Sequence, residues 1–92
     1  MSGYSNNGNC TISFQDSSCV DRKIRAAIFM DGPHGRECEL WVDMFEQARG
    51  FFVAGFRIPG RDGTYQIDVY DVTHGIPSNK NWVRGFSAYF SH

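Results

Sequence analysis

The stretch RGFFVAGFRIPGRDGTYQIDVYDV, residues 49–72, limits the folds open to this chain more than any other. FFVAGFRI and TYQIDVYDV are rich in the β-branched and aromatic residues that suit extended backbone, and they flank PGRDG, a cluster of turn formers. Setting Ile58 opposite Tyr65 brings Phe56 to Ile67 and Ala54 to Val69, around the four-residue loop Gly60-Arg61-Asp62-Gly63. A one-residue slip would mix apolar with polar positions, so the pattern predicts a hairpin in that register. The first half is apolar on both faces and needs cover on two sides.

Two further strands come from alternation. In TISFQD, Ile12 and Phe14 alternate with Thr11, Ser13 and Gln15; in RKIRAAIFMD, Ile24, Ala26, Ile28 and Met30 share one face. DGPHG at 31–35 interrupts with turn residues. Near the end, Trp82, Phe86, Ala88 and Phe90 alternate with Val83, Gly85, Ser87 and Tyr89, a last strand. Residues 36–49 read differently. At helical spacing Leu40, Trp41, Met44, Phe45 and Ala48 fall on one side and Glu39, Asp43 and Glu46 on the other, with Gly50 where a helix stops. The rival is a strand over 39–45, but Glu, Gln, Ala and Arg are helix formers. Residues 1–9, Ser, Asn and Gly around one Tyr, read as a loose tail ahead of a single domain over 10–92. The expectation is an α+β domain of order ββαβββ, an antiparallel sheet of about five strands with one helix packed on one face; the alternative is an all-β meander or small barrel.

Composition narrows the function classes. Ninety-two residues with a net charge of −1 offer no global field for nucleic acid or anionic lipid. No apolar run reaches the roughly 20 residues of a membrane span, and MSGYSNNGNC lacks the pattern of a signal peptide. Together with an odd cysteine count (Cys10, Cys19, Cys38), this points to a cytoplasmic chain with reduced thiols.

One helix covers one sheet face, the one with Phe52, Phe56, Ile58, Ile67 and Val69. The other face would carry Phe29, Phe51, Val53 and Tyr70 among the basic residues Lys23, Arg25, Arg57 and Arg61. Contiguous apolar surface marks a binding site, so these eight residues form the expected partner-binding set. The alternative is internal cover from the 74–81 loop, the N-terminal segment or a rolled-up barrel. The string RGFFVAGF resembles, in part, the RNP1 element of RNA-recognition motifs, where strand aromatics stack on bases. It departs from that element at Phe52, runs one position out of step, and follows a helical segment where a strand is required, so the chain is not assigned to the family.

Catalytic and metal chemistry find little support. Cys38, His74 and Asp71 are the available nucleophile, base and orienting group, without the spacing of a known motif. Asp31, His34 and Glu37 crowd one turn but form no recognisable ligand set. No cofactor, metal or reaction is expected. The expectation is a small non-catalytic protein that docks on a protein partner or self-associates, with the acidic stripe Glu39, Asp43 and Glu46 steering the encounter. Its size class includes stoichiometric inhibitors such as the anti-defence proteins of phages and mobile elements. Single-stranded nucleic-acid binding through the sheet aromatics and arginines is the alternative.

Overall fold

Alternation governs the whole chain. The computed structural model describes Met1–His92 and contains eight strands: β1 (Ser2–Asn6), β2 (Asn9–Gln15), β3 (Ile24–Gly32), β4 (Gly35–Asp43), β5 (Phe45–Ala48), β6 (Phe51–Phe56), β7 (Gly63–Asp71) and β8 (Trp82–Phe90). The only helical piece is a 3-10 turn at Ser17–Cys19, capped by the Asp16 carboxylate, which accepts from Ser18 N at 2.9 Å. The strands form two four-stranded antiparallel sheets, β1-β2-β6-β5 and β4-β3-β7-β8. Their inner faces meet over one core that includes Ile12 and Phe14 of β2, Ile24 and Ile28 of β3, Phe52 of β6 and Tyr65, Ile67 and Val69 of β7. This is a β-sandwich, in which inward apolar residues alternate with outward ones along each strand.

The expected α+β fold is therefore corrected: the chain is all-β, as the alternative had it, but its strands form two sheets instead of one meander. Residues 36–49 are β4, Met44 and β5 instead of a helix. In extended form Leu40 and Val42 lie opposite Ile28 and Ala26, while Trp41 lies opposite Ala27 on the outer face. A helix would have left this edge of β3 unpaired, and the ladder β4 supplies outweighs the weak helical preference of Glu, Gln and Ala. Gly50, expected as a helix stop, instead takes φ 76° in the β5–β6 turn.

The expected hairpin over 49–72 also fails. β6 pairs with β2 and β5, whereas β7 pairs with β3 and β8, and residues 57–62 carry the chain between sheets. Both runs do turn their apolar residues inward, but from opposite sheets instead of from neighbouring strands. Residues 2–6, expected to trail loosely, form β1; Asn6 pairs with Asn9 around Asn7-Gly8, whose φ values of 53° and 82° suit a two-residue hairpin turn. On β8 a register shift opposite Val69 and Tyr70 turns Trp82 outward, away from the face of Phe86, Ala88 and Phe90.

Aromatic pairs fill the middle of the sandwich. Phe14 and Phe52 stack at 5.3 Å with an interplanar angle of 13°, and Phe90 meets Phe56 edge-on at 5.4 Å and Tyr65 at 5.9 Å. Tyr65 is buried, and its hydroxyl donates to the Arg61 carbonyl at 2.7 Å. Burial, with the neighbouring Cys38 thiol, pushes its pKa up to about 12, so it stays a neutral donor.

Candidate functional site

The expected partner-binding set does not form one surface. Phe29 and Tyr70 lie on the outer face of the β3-β7 sheet and are already sealed within a single copy of the chain, 6% and 8% exposed. They make a small second cluster with Ala27, packed against Trp41 and Val72. Phe51 and Val53 are half-buried on the outer face of the other sheet, where Val53 lies opposite Ser13 and the exposed Phe45. Arg25 shares the face of Phe29 and Tyr70. Lys23 is exposed just before β3, and its backbone N donates to Thr73 Oγ1 at 2.8 Å. Arg57 is exposed beyond β6, and Arg61 donates to Glu37 Oε2 at 3.1 Å.

The structure assembles a different group around Phe29, Tyr70 and Arg25. Placing β4 beside β3 brings Trp41 onto the outer face, its ring 5.7 Å from that of Tyr70. The Arg25 guanidinium lies over Trp41 at 5.6 Å, and that of Arg36 over Phe29 at 3.9 Å, both within cation–π range. The loop after β7 supplies a wall of Ile76, Pro77, Ser78 and Asn79, closing a hollow of about 440 Å³ against Arg25, Arg36, Trp41 and Tyr70. That volume is in the range of small binding pockets.

No family model, curated protein or solved structure matches this chain. The reading of the hollow therefore rests on its own geometry.

Its arginines are paired unequally. Arg36 donates to Glu39 Oε2 at 2.9 Å and to Asp68 Oδ2 at 3.4 Å, and Trp82 Nε1 donates to the other oxygen of Asp68 at 3.2 Å. The Arg25 Nε lies 3.2 Å from Asp43 Oδ1 but is too poorly aligned to donate to it, leaving an enclosed N–H without a partner in the protein. Three carboxylates stand beside two guanidiniums, so the face is not electropositive.

The other candidate groups are dispersed. Cys38, in the left-handed region at φ 52°, packs near Gly60 and Tyr65. Asp71 and His74 lie toward the opposite end of β7, on the order of 20 Å away along a strand of about 3.3 Å per residue, so the trio does not meet. Asp31, His34 and Glu37 do not converge as a metal-binding group, and Glu37 is taken by Arg61. The acidic residues Glu39, Asp43 and Glu46 form no stripe. Glu39 pairs with Arg36, Asp43 lies beside Arg25, and Glu46 accepts from the backbone N of Asp21 and Gly50 at 3.0 and 2.7 Å. Trp41 and Arg36 were missed because a helical reading of 36–49 hides which residues share a face. Period-two counting from Leu40 and Val42 would have put Trp41 opposite them.

Asp71 instead organises the loop that walls the hollow. It accepts from Arg22 Nε at 2.7 Å and from the Thr73 hydroxyl and backbone N at 2.6 and 3.0 Å. Burial alone would raise its pKa, but the bonds from Thr73 and Arg22 outweigh it and hold the carboxyl below the usual 3.8. A depressed folded pKa means the stabilisation is present above the unfolded value and lost as pH falls through the folded one. The urea midpoint is expected to hold from neutral pH to about 5 and to drop below about 4. Asp71→Asn should start lower at neutral pH and fall less steeply; an unchanged acid limb would remove Asp71 from this role.

Proposed function

We propose that this protein is a small non-catalytic binding module that docks on a protein partner through the outer face of β3, β4 and β7, with Trp41 at its centre. The observation that carries the reading is the hollow that joins Trp41, Tyr70, Arg25 and Arg36 beneath the 76–79 loop. Trp, Tyr and Arg are the residues that dominate binding energy at protein interfaces, and they do so near the centre of the interface, in well-packed pockets. Trp41 is half-buried, with its ring held by Tyr70 and Arg25, so little side-chain freedom is lost on docking. The separation of Cys38 from Asp71 and His74 favours binding over catalysis. The size of the chain suits a stoichiometric inhibitor of the kind carried by phages and mobile elements.

Single-stranded nucleic acid is disfavoured by the charge balance. Phosphate neutralisation supplies most of such affinity, and both arginines here stand among Asp43, Glu39 and Asp68.

Affinity capture with three baits tests the reading: wild type, Trp41→Ala, and Tyr4→Ala on the outer face of the other sheet. Trp41→Ala is expected to weaken retention of a partner about tenfold or more while its urea midpoint stays close to wild type. Tyr4→Ala should retain the partner fully. Equal recovery from all three baits would remove the hollow as the docking site.

A further inference from the structure

We infer that a separate hollow, formed between the two ends of the loop whose middle walls the docking hollow, is a site for a small phosphorylated ligand. Its phosphate is held by Lys80, Arg22 and His74, and its flat organic part rests on Trp82. The inference is independent of the docking reading, which uses residues 76–79 of the same loop and none of these four side chains.

This hollow holds about 430 Å³ and is lined by Arg22, Asp71, His74, Lys80, Asn81 and Trp82 among others. That is room for a whole small molecule, more than a bare inorganic anion fills. Its charge differs from that of the docking hollow. Two fixed cations face one carboxylate, and the carboxylate is fully engaged: Asp71 accepts from Arg22 Nε at 2.7 Å and from Thr73 Oγ1 and N at 2.6 and 3.0 Å. Lys80 is the excess charge, since it forms no ion pair, and neither does His74. Arg22 adds donors rather than net charge. One of its five N–H groups meets Asp71, which fixes the guanidinium, and its Nη groups meet no acceptor in the protein.

The backbone that carries Lys80 is fixed as well. Asn81 Oδ1 accepts from Ser78 N at 2.8 Å, Asn81 Nδ2 donates to Ile76 O at 2.8 Å, and Asp71 N donates to Asn81 O at 2.9 Å. The site therefore loses little freedom on binding. Three donor groups from three segments of the chain suit a phosphate monoester, which offers three strong acceptor oxygens and nearly two charges, better than a carboxylate with two oxygens and one charge. Beside them Trp82 is held by one edge, where Nε1 donates to Asp68 Oδ1 at 3.2 Å, and half of its surface stays open. An indole so placed takes a flat heterocycle by stacking.

The test uses the full chain labelled with nitrogen-15, with adenosine monophosphate, adenosine and inorganic phosphate as probes. Adenosine monophosphate is expected to shift the Trp82 indole N–H resonance saturably, with adenosine and inorganic phosphate each about tenfold weaker or more. Lys80→Gln should weaken the monophosphate by about tenfold, and Lys80→Arg should restore most of the loss. Arg57→Gln removes the same charge beside the Asn7-Gly8 turn, outside the hollow, and should leave binding unchanged. No saturable shift, adenosine binding as tightly as its monophosphate, equal loss from Lys80→Gln and Arg57→Gln, or tighter binding of oligo-dT than of the monophosphate would each overturn the inference. Inorganic phosphate binding as tightly as the monophosphate would leave Trp82 no part in the site and overturn the ligand class.

Discussion

Phe14→Ala is expected to remove about 3–5 kcal/mol of folding stability, the largest loss from any single truncation proposed for this chain. Phe14 is 1% exposed and lies against Phe52 at 5.3 Å, near parallel, in the core between the sheets. Truncation removes the transfer free energy of the ring and leaves a cavity that strands on both sides hold open, since β2 and β6 are the central pair of their sheet. Small domains carry about 5–15 kcal/mol in total, so the variant should lose a large fraction of its stability. Urea denaturation followed by tryptophan fluorescence measures this. Phe45→Ala is the control, because Phe45 is 69% exposed on the short edge strand β5 and its loss should stay within about 0.5 kcal/mol. Equal midpoints for the two variants would mean that the rings of β2 and β6 do not form the core. The Phe14–Phe52 pair should also show coupling of about 0.5–1.5 kcal/mol in a double-mutant cycle, beyond the area each ring buries.

Why Phe14 and Phe52 could be read as buried, while their contact could not, follows from what alternation encodes. The period-two pattern in TISFQD, RKIRAAIFMD and FFVAGFRI identifies the inward residue of each strand, and Ile12, Phe14, Ile24, Ile28 and Phe52 all point into the core. Alternation does not say which strand lies beside and which lies across. Phe56 and Ile67 both turn toward the core, but from opposite sheets, so the hairpin over 49–72 satisfied every local rule and was still not formed. Residues 36–49 failed for another reason. Leu40, Trp41, Met44, Phe45 and Ala48 fit helical spacing, and only the need of β3 for a second neighbour decides against it.

The candidate site inherits both difficulties. Arg25, Phe29 and Tyr70 were legible as one group, since β3 and β7 pair with Arg25 opposite Tyr70. Phe51 and Val53 were placed with them only because the hairpin put β6 in the same sheet. Trp41 and Arg36 were invisible for as long as their segment read as a helix. One signal was plain: Asn7-Gly8 between Asn6 and Asn9 is a strong hairpin dipeptide, but the absence of large apolar residues around it made residues 1–9 look unable to fold. β1 holds to the sandwich by fit, with Gly3 set so close to Ala88 and Phe90 that no side chain could replace its hydrogen.

Gly50→Val should cost about 2–5 kcal/mol, and the reason lies in the turn that replaced the expected helix end. Gly50 sits at φ 76°, where an L-residue pays about 1–2 kcal/mol for the left-handed conformation and a β-branched one more. A Cβ there would lie 3.1 Å from the Asp16 carbonyl oxygen, which is backbone and cannot rotate away. Relief requires the two segments to part, and they are joined at this point: Asp16 N donates to Gly50 O at 2.9 Å, and Gly50 N donates to Glu46 Oε2 at 2.7 Å. Glu46 also accepts from Asp21 N at 3.0 Å, so the β5–β6 turn and the crossover from β2 to β3 share one carboxylate. Separating them loosens the closure of the sandwich on that side. Gly75→Val is the comparison, since a Cβ at Gly75 would meet no heavy atom within 4 Å and its φ is ordinary. Its midpoint should stay within about 0.5 kcal/mol of wild type. A Gly50 variant as stable as the Gly75 variant would mean that the turn at Gly50 is not the one described and that residues 45–50 meet β6 in another way.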